Sequence, residues 1–282
     1  MSKFFRYVIF AIFVANFLTI QPVFGQAPNQ ANDHNLPTNG SVFVPLNQTI
    51  PPEVLEAKKS FVAVRMATPR LYEDQDIHID QDFGLGVTVF DNYVLAALHL
   101  IGPFPTIWFS NRDSGELSKA SDISIFDGDT IFAAKIDSLD YSADLVLLKV
   151  VSPNPQGKIF NLKPAKIAAQ TFVVDPKTNE PKVLFERFYA FSFFTKSPRA
   201  YFSLQLGPYL TVTNLLKESL VVPIGIVQGA IEPGFSGGPL VSPDGSVMGI
   251  VSKGSAVYTY VVTVETINYF LEVAKKRLTQ KP

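Results

Sequence analysis

The residues from Gly234 to Leu240 are the part of the sequence best suited to chemistry, and they read Gly-Phe-Ser-Gly-Gly-Pro-Leu. A nucleophilic serine needs an exposed hydroxyl on a tight turn, and it needs neighbouring backbone N–H groups that can hold an oxyanion. Glycines at positions 237 and 238 permit such a turn and leave room for a substrate to approach. The string therefore indicates an acyl-transfer nucleophile at Ser236, and a plain glycine turn between two strands is the alternative.

Two unrelated hydrolase architectures use a Gly-x-Ser-x-Gly string, and they differ in the chain order of their catalytic residues. In α/β-hydrolases a helix begins directly after the serine, and the histidine comes later in the chain. No histidine follows Ser236, and Pro239 would disrupt such a helix. The other order, in which histidine and then aspartate precede the serine, is available in this sequence.

His99 and Asp144 are the candidates for the histidine and the aspartate. His99 ends an apolar run that is predicted to be a strand, although a single histidine in such a run is more often a core residue. Asp144 directly precedes the apolar run Leu145–Val150, where a carboxylate can be held inside the protein and bonded to a histidine. Asp137 and Asp140 are close rivals, but neither of them directly precedes that run.

The composition excludes several classes of protein. The 282 residues are 47% apolar, which is enough apolar material for a core. The formal charge of −1 gives no bulk positive charge for binding nucleic acid or an anionic membrane. Without cysteine there are no disulfides, no thiolate nucleophile and no cysteine-ligated metal. We therefore expect a protein that needs no cofactor and no metal.

An acidic stretch around His78, from Glu73 to Asp82, could in principle hold a cation. Its spacing fits no EF-hand, and it lacks the turn glycine of that motif. We predict a solvated surface loop here in preference to a calcium site.

The first 25 residues have the composition of a targeting signal. Lys3 and Arg6 precede an apolar run from Tyr7 to Ile20, which is shorter than the roughly 20 residues that a membrane-spanning helix needs. We predict that residues 1–25 are a cleaved signal peptide, so that the mature chain is exported to the periplasm or the medium without a stable membrane anchor. Residues 26–50, rich in Asn, Gln and Pro, are predicted to be a flexible leader.

Short apolar runs alternate with turn signals from Gly84 onward, which is typical of an all-β sandwich or barrel. Only residues 267–278 have the periodicity of a good helix. A short helix is predicted to begin at Pro51, and the polar segment 175–182 is predicted to be a surface hairpin. The predicted strands include residues 86–90, 93–96, 106–109, 130–133, 145–150, 188–194, 201–206, 221–227, 239–241, 247–251 and 258–262.

Taken together, the motifs resemble those of the trypsin-like, chymotrypsin-fold serine proteases, and most of all the bacterial HtrA-type branch. The resemblance extends over roughly residues 53–278. It implies two packed six-stranded antiparallel β-barrels with a C-terminal helix, the first barrel at residues 51–160 and the second at residues 161–282. The matching strings are Gly84-Leu-Gly86, Tyr93 to His99, Asp144-Leu-Val-Leu-Leu-Lys149 and Pro233-Gly-Phe-Ser-Gly-Gly-Pro-Leu240.

The resemblance also implies roles for individual residues. Asp144 would hold His99 in the tautomer that accepts a proton from Ser236, whose oxygen would attack the peptide carbonyl. The backbone N–H groups of Gly234, Phe235 and Ser236 would form the oxyanion hole. Polypeptides are the implied substrates, and the oligomeric state is not indicated.

The family's pocket for the residue before the cut has its base six positions before the nucleophile. That position is Ala230, and Ile231 follows it. A pocket without a carboxylate does not attract lysine or arginine, so we predict a preference for small or medium apolar side chains.

Three features depart from the family pattern. Phe235 stands where a small polar residue usually precedes the serine, which excludes activation by pairing with a new N-terminus. Leu98 replaces a small or polar residue and is expected to crowd the imidazole of His99. The residues after Ser236 are expected to form strands and the helix, with no PDZ domain of the HtrA type.

Three functions are compatible with these motifs. The leading one is an exported serine endopeptidase that works through an acyl-enzyme. The alternative is a catalytically impaired pseudoprotease, a binding module of the same fold, which Phe235 and Leu98 favour and the retention of all three catalytic residue types opposes. The third is a secreted β-barrel that binds small ligands, which requires the motifs to be coincidental.

Overall fold

The computed structural model describes residues 50–71, 77–101, 122–174, 177, 181–194, 197–217 and 220–280. The predicted signal peptide, almost all of the predicted leader and the predicted strand at residues 106–109 lie outside these ranges. All described residues belong to one compact unit of the chain, Asn39–Pro282.

Six strands in the first half of the described chain are β1 Phe61–Leu71, β2 Ile77–Phe90, β3 Tyr93–Ala97, β4 Asp122–Asp127, β5 Thr130–Asp140 and β6 Leu145–Val150. They close into a barrel in the order β1-β2-β3-β6-β5-β4, with every pair antiparallel. Along β1, Val62 and Val64 lie in the core of this barrel, whereas Phe61 and Ala63 lie in a second cluster. The alternation follows from the two-residue period of a strand, and it lets β1 serve two cores.

The second half contains the strands β7 Phe172–Val174, β8 Pro181–Val183, β9 Phe188–Phe194, β10 Ser197–Leu206, β11 Tyr209–Lys217, β12 Leu220–Gln228, β13 Pro239–Val241, β14 Val247–Gly254 and β15 Tyr258–Thr263. Strands β7 and β8 pair as a hairpin that brackets the predicted polar turn. The other seven form an antiparallel sheet in the order β10-β9-β13-β14-β15-β12-β11.

In the described part of the chain two α-helices flank the strands, α1 at Pro52–Ala57 and α2 at Val264–Gln280. In α1 the proline in the first turn needs no N–H partner, and Glu53 lies favourably at the positive end. Within the described residues, no helix is both long and apolar enough to cross a membrane. The buried face of α2 consists of Val264, Ile267, Phe270, Leu271 and Ala274.

A shared hydrophobic cluster joins the barrel, the second sheet and α2. It contains Leu85 from β2, Ile250 from β14 and Ile267 from α2, and all three are fully buried. Phe61 of β1 and Phe191 of β9 meet in it with ring centroids 5.2 Å apart. Since removal of apolar area from water is the main favourable contribution to folding, this cluster holds the two halves against each other.

The C-terminal helix α2 is also bound to the barrel by charged groups. Arg277 donates hydrogen bonds to the Asp137 carboxylate at 2.5 Å, to the Asp137 carbonyl at 2.9 Å and to the Ser138 hydroxyl. Asp137 is the extra residue of a β-bulge in β5, opposite β6, and a bulge redirects side chains locally. Lys275 lies over the ring of Phe90, 5.8 Å from its centroid. The helix therefore connects the end of the chain to two strands of the barrel.

The structure confirms the predicted chymotrypsin-like all-β class, with a closed six-stranded barrel, a second sheet and a C-terminal helix. The second sheet differs in detail from the predicted six-stranded barrel, because it has seven strands and its described pairings leave β10 and β11 at the edges. The chain passes between these two strands through Gly207 and Pro208, which both bond to the backbone of Gln228. Pro208 has no N–H to donate to a direct β10–β11 ladder.

The predicted acidic loop is wrong in its C-terminal part. Residues 77–82 belong to β2 and pair with residues 66–71 of β1, while residues 72–76 lie outside the described part of the chain. The apolar residues Ile77, Ile79 and Phe83 are separated by two and four residues, which fits the two-residue period of a strand. The pairing with β1 outweighs the acidic residues between them.

Candidate active site

His99 and Asp144 meet at one end of the barrel because of the pairing of β3 with β6. His99 lies in a single 3₁₀ turn, Leu98–Ile101, directly after β3, and Asp144 is the last residue before β6. Ala97 and Leu145 are partners in this antiparallel pair. The residues that follow Ala97 and the residue that precedes Leu145 must therefore lie at the same end of the two strands.

The contact between His99 and Asp144 involves both carboxylate oxygens. His99 Nδ1 lies 2.8 Å from Oδ2, and the backbone N–H of His99 donates to Oδ1 at 2.9 Å. The backbone N–H of Leu98 donates to the Asp144 carbonyl at 2.9 Å. Asp144 has φ +57°, in the left-handed region that non-glycine residues rarely adopt. Such a conformation persists only where the surroundings fix it, and these three hydrogen bonds do so.

Ser252 is a member of this group that the sequence analysis did not identify. Its hydroxyl donates to Asp144 Oδ2 at 2.5 Å from strand β14, in the other half of the fold. The contact bridges the barrel and the second sheet at the carboxylate. A lone serine after an apolar run gives no local signal for such a role.

The carboxylate of Asp144 is ionised at neutral pH. Burial raises the pKa of Asp144, but the hydrogen bonds from His99 and Ser252 and the charge of His99 outweigh burial and leave this pKa below its ordinary value. An ionised carboxylate can only accept hydrogen bonds, so His99 Nδ1 must carry the proton. When the ring is neutral, the other nitrogen, Nε2, is the acceptor, on a side chain that is 43% exposed.

The turn that carries Ser236 lies against both halves of the fold. The Ser236 carbonyl accepts from Leu85 N–H of β2 at 2.9 Å, and Gly237 N–H donates to the Val251 carbonyl of β14 at 2.8 Å. Gly237 has φ +74°, and a Cβ added there would lie 2.3 Å from the Leu85 carbonyl and 3.0 Å from the Ala97 nitrogen. Only glycine fits this position, which brings the serine turn beside the end of β3.

The Ser236 turn and the His99 turn are thus neighbours, since Ala97 comes two residues before His99. Within the described residues, no hydrogen bond joins the Ser236 hydroxyl to the His99 ring. Catalytic hydrogen bonds are often long in structures without substrate and tighten only in the complex.

Backbone N–H groups are available beside Ser236. Those of Gly234, Phe235 and Ser236 donate to no other described residue. The Phe235 carbonyl accepts from Gly238 N–H at 3.0 Å, and the N–H of Ser236 must point to the opposite side of that planar peptide. These groups can serve as donors to an oxyanion.

The rival aspartates have other partners. Asp140 Oδ1 accepts from the backbone N–H groups of Ser142 and Ala143, at 2.9 and 3.0 Å, and so shapes the turn that leads to Asp144. Asp137 bonds to Arg277, as described above. Neither is bonded to His99 in the described part of the chain.

Ala230 and Ile231 lie in a segment that runs alongside the end of β14. Gly229 N–H donates to the Val257 carbonyl at 2.9 Å, which ties this segment to the β14–β15 turn. A Cβ added at Gly254 would lie 2.3 Å from Cγ1 of Ile231, so the Ile231 side chain already lies directly on Gly254. The space between the two segments is therefore narrow.

The structure places Leu98, which we expected to crowd the imidazole, at the start of the 3₁₀ turn. It is half-buried and packs against the core cluster inside the barrel. A leucine at the start of the 3₁₀ turn gains apolar contact there, and the His99 ring keeps its 2.8 Å contact with Asp144.

A family model described as a trypsin-like peptidase domain matches residues 84–250, more than half of the chain. The chain belongs to the trypsin-like peptidase family. The matched range contains all three residues of the predicted triad. The family's name gives peptide-bond hydrolysis as the chemistry and polypeptides as the substrate class. The narrower resemblance to the HtrA-type branch stays a prediction.

Solved structures agree with this family assignment at the level of the fold. The trypsin-like peptidase is similar to the active form of the Rv3671c protease from M. tuberculosis, at 18% identity over 79% of this chain and 83% of that chain, with a TM-score of 0.58. The inactive form of that protease matches at 18% identity over 79% and 93% of the two chains, with a TM-score of 0.53. No curated protein sequence matches the chain.

Proposed function

We propose that this trypsin-like peptidase is an exported serine endopeptidase that uses His99, Asp144 and Ser236. The observation that carries the proposal is the pair of contacts from His99 to the two oxygens of Asp144, at 2.8 and 2.9 Å. This pair fixes the proton of the ring on Nδ1 and leaves Nε2 free to act as a base. The charged and apolar pattern of residues 1–25 supports export.

Acylation follows from this arrangement. Nε2 of His99 takes the Ser236 hydroxyl proton while Oγ forms a bond to the substrate carbonyl carbon, and the carbonyl oxygen becomes an oxyanion. The N–H groups of Gly234 and Ser236 donate to that oxygen. The C–N bond then breaks, the proton on Nε2 passes to the leaving amine, and an ester on Ser236 remains.

Deacylation reverses the proton movements with water in place of the amine. Nε2 takes a proton from water, whose oxygen attacks the ester carbonyl, and the same N–H groups hold the second oxyanion. The bond to Oγ breaks, and the proton returns from Nε2 to Ser236. Throughout the cycle Asp144 stays ionised and stabilises the imidazolium.

Labelling with a fluorophosphonate tests the proposal. The serine oxygen displaces fluoride from phosphorus at a useful rate only where a base activates it. We expect one label per chain, located on Ser236 by mass spectrometry of its peptides. After expression in a bacterium with a signal-peptide export pathway, we also expect the protein to begin near Gln26. Folded protein without label would overturn the endopeptidase in favour of a binding module of the same fold, and an uncleaved N-terminus would overturn export.

The contact of Ile231 with Gly254 predicts a shallow pocket for the residue before the cut. Replacing Ile231 by alanine removes the side-chain atoms that lie on Gly254. We expect kcat/KM for a peptide with phenylalanine before the cut to rise about tenfold relative to its alanine counterpart, because a few methylene groups of pocket space are worth this much discrimination. The measurement is the ratio of kcat/KM on the two matched peptides, and an unchanged ratio contradicts the assignment.

A further inference from the structure

We propose that Phe235 is a positioning residue, whose buried ring holds the oxyanion donors of the Ser236 turn in place. The proposal rests on the proposed function, because it concerns the geometry of the same site. It gives a role to a residue that departs from the sequence pattern of the family.

The ring of Phe235 is buried although its nearest neighbours in the chain are not. Its exposure is 7%, whereas Pro233 is exposed and Gly234 and Ser236 are half-buried. It belongs to the buried cluster of the second sheet, with Leu206, Tyr209, Val227 and Met248 among the other members. A surface turn is thus anchored in the core by one large side chain next to the nucleophile.

The same residue is fixed through its main chain. The Phe235 carbonyl accepts from Gly238 N–H at 3.0 Å, which directs the N–H of Ser236 to the other side of the peptide plane. The next carbonyl, that of Ser236, is held by Leu85 of β2 at 2.9 Å. The peptide that supplies an oxyanion donor therefore has its orientation set by hydrogen bonds and its position set by the ring.

Because the buried ring holds the turn, residue 235 needs no side-chain ion pair or hydrogen bond to keep the turn in place. Phe235 carries no group that could pair with a charge elsewhere in the chain. Apolar packing of this kind forms with the fold itself, because the cluster that receives the ring is the core of the second sheet. The donors are consequently in place as soon as the sheet is folded.

The test compares Phe235→Ala and Phe235→Leu with a matched core change, Met248→Ala. Met248 is 1% exposed and belongs to the same buried cluster, but it lies outside the turn. Each folded variant is assayed for kcat and KM on one peptide substrate, for its melting temperature, and for its affinity for a peptide aldehyde, whose hemiacetal oxygen uses the oxyanion donors.

We expect Phe235→Ala to lower kcat by about 100-fold with KM within about twofold of the parent, which is the effect of losing one oxyanion donor. Aldehyde affinity should fall in parallel, and Phe235→Leu should recover most of both. Met248→Ala should lower the melting temperature comparably and leave kcat within about twofold. If Phe235→Ala does not fold, Phe235→Val, which also removes the ring, is compared with Met248→Ala in its place.

Equal kcat for the Phe235 and Met248 variants at equal loss of melting temperature would overturn the proposal. So would a rise in KM at constant kcat, since that change reports substrate binding and not the oxyanion. A parent protein that takes no fluorophosphonate label instead overturns the proposed function, so the two failures are distinguishable.

Discussion

Replacing Ser236 by alanine is expected to lower kcat by about 10⁶-fold, because the covalent path is lost together with the nucleophilic oxygen. The small residual rate comes from substrate binding and the remaining oxyanion donors. The hydroxyl of Ser236 bonds to no other described residue, so the free energy of unfolding should change by less than about 0.5 kcal/mol. The measurement is kcat on a peptide substrate together with a denaturant titration of the same samples.

Ser138→Ala is the control for this change, since Ser138 lies on β5 and bonds to Asp137 away from the site. It should keep the parent kcat. An Ser236→Ala protein that is folded and still hydrolyses the peptide within tenfold of the parent would show that another group is the nucleophile.

Asp144→Asn is expected to lower kcat by about 10⁴-fold while the protein stays folded. The amide has one acceptor oxygen where the carboxylate has two, and His99 uses both, through its backbone N–H and through Nδ1. If the amide oxygen accepts from the backbone N–H, the amide NH₂ faces Nδ1 and makes that nitrogen the acceptor. The proton then resides on Nε2, which can no longer take the proton of Ser236.

Nitrogen-15 NMR of His99 provides a direct check, because it reports which ring nitrogen carries the proton. We expect Nδ1–H in the parent and Nε2–H in Asp144→Asn. The matched control is Asp140→Asn, in which the side-chain oxygen still accepts from Ser142 and Ala143. A large loss of kcat in that control with full activity in Asp144→Asn would assign the catalytic carboxylate to Asp140.

The free energy of unfolding of the parent and of Asp144→Asn should depend on pH in a way whose sign follows from the pKa of Asp144. The pKa of Asp144 is lowered from its ordinary value in the folded protein, so its ionised form stabilises the fold at any pH above the unfolded pKa of about 4. That stabilisation is lost as the pH falls through the lower, folded pKa. The difference in unfolding free energy between the parent and Asp144→Asn should therefore shrink as the pH falls below about 4.

The sequence predicts candidate site residues where local motifs carry them. His99, Asp144 and Ser236 each lie in a short string, in the expected chain order, and the structure puts His99 and Asp144 in contact. Ser252 could not be found in this way, because its role depends on β14 reaching the carboxylate from the other half of the fold. Ile231 was named for its position, whereas its contact with Gly254 depends on the packing of two separate segments.

Secondary structure was predicted best where apolar runs are continuous. The run Leu145–Val150 is β6 as expected, and five of its six residues are buried. Strand β4 was not predicted, because Asp122–Asp127 contains only three apolar residues, Ile123, Ile125 and Phe126. It becomes a strand by pairing with β1 and β5. The C-terminal part of the acidic stretch before Phe83 was misassigned for a similar reason, since its partner β1 decides its conformation.

The bond between Arg277 and Asp137 has a consequence for the order in which the molecule can be completed. Synthesis proceeds from the N-terminus, so a nascent chain that has emerged only as far as β15 already carries the histidine, the aspartate and both serines of the site. It still lacks Arg277 of α2, whose guanidinium binds Asp137 of β5. This link between the two halves is therefore made only after nearly all of the chain up to α2 has been synthesised.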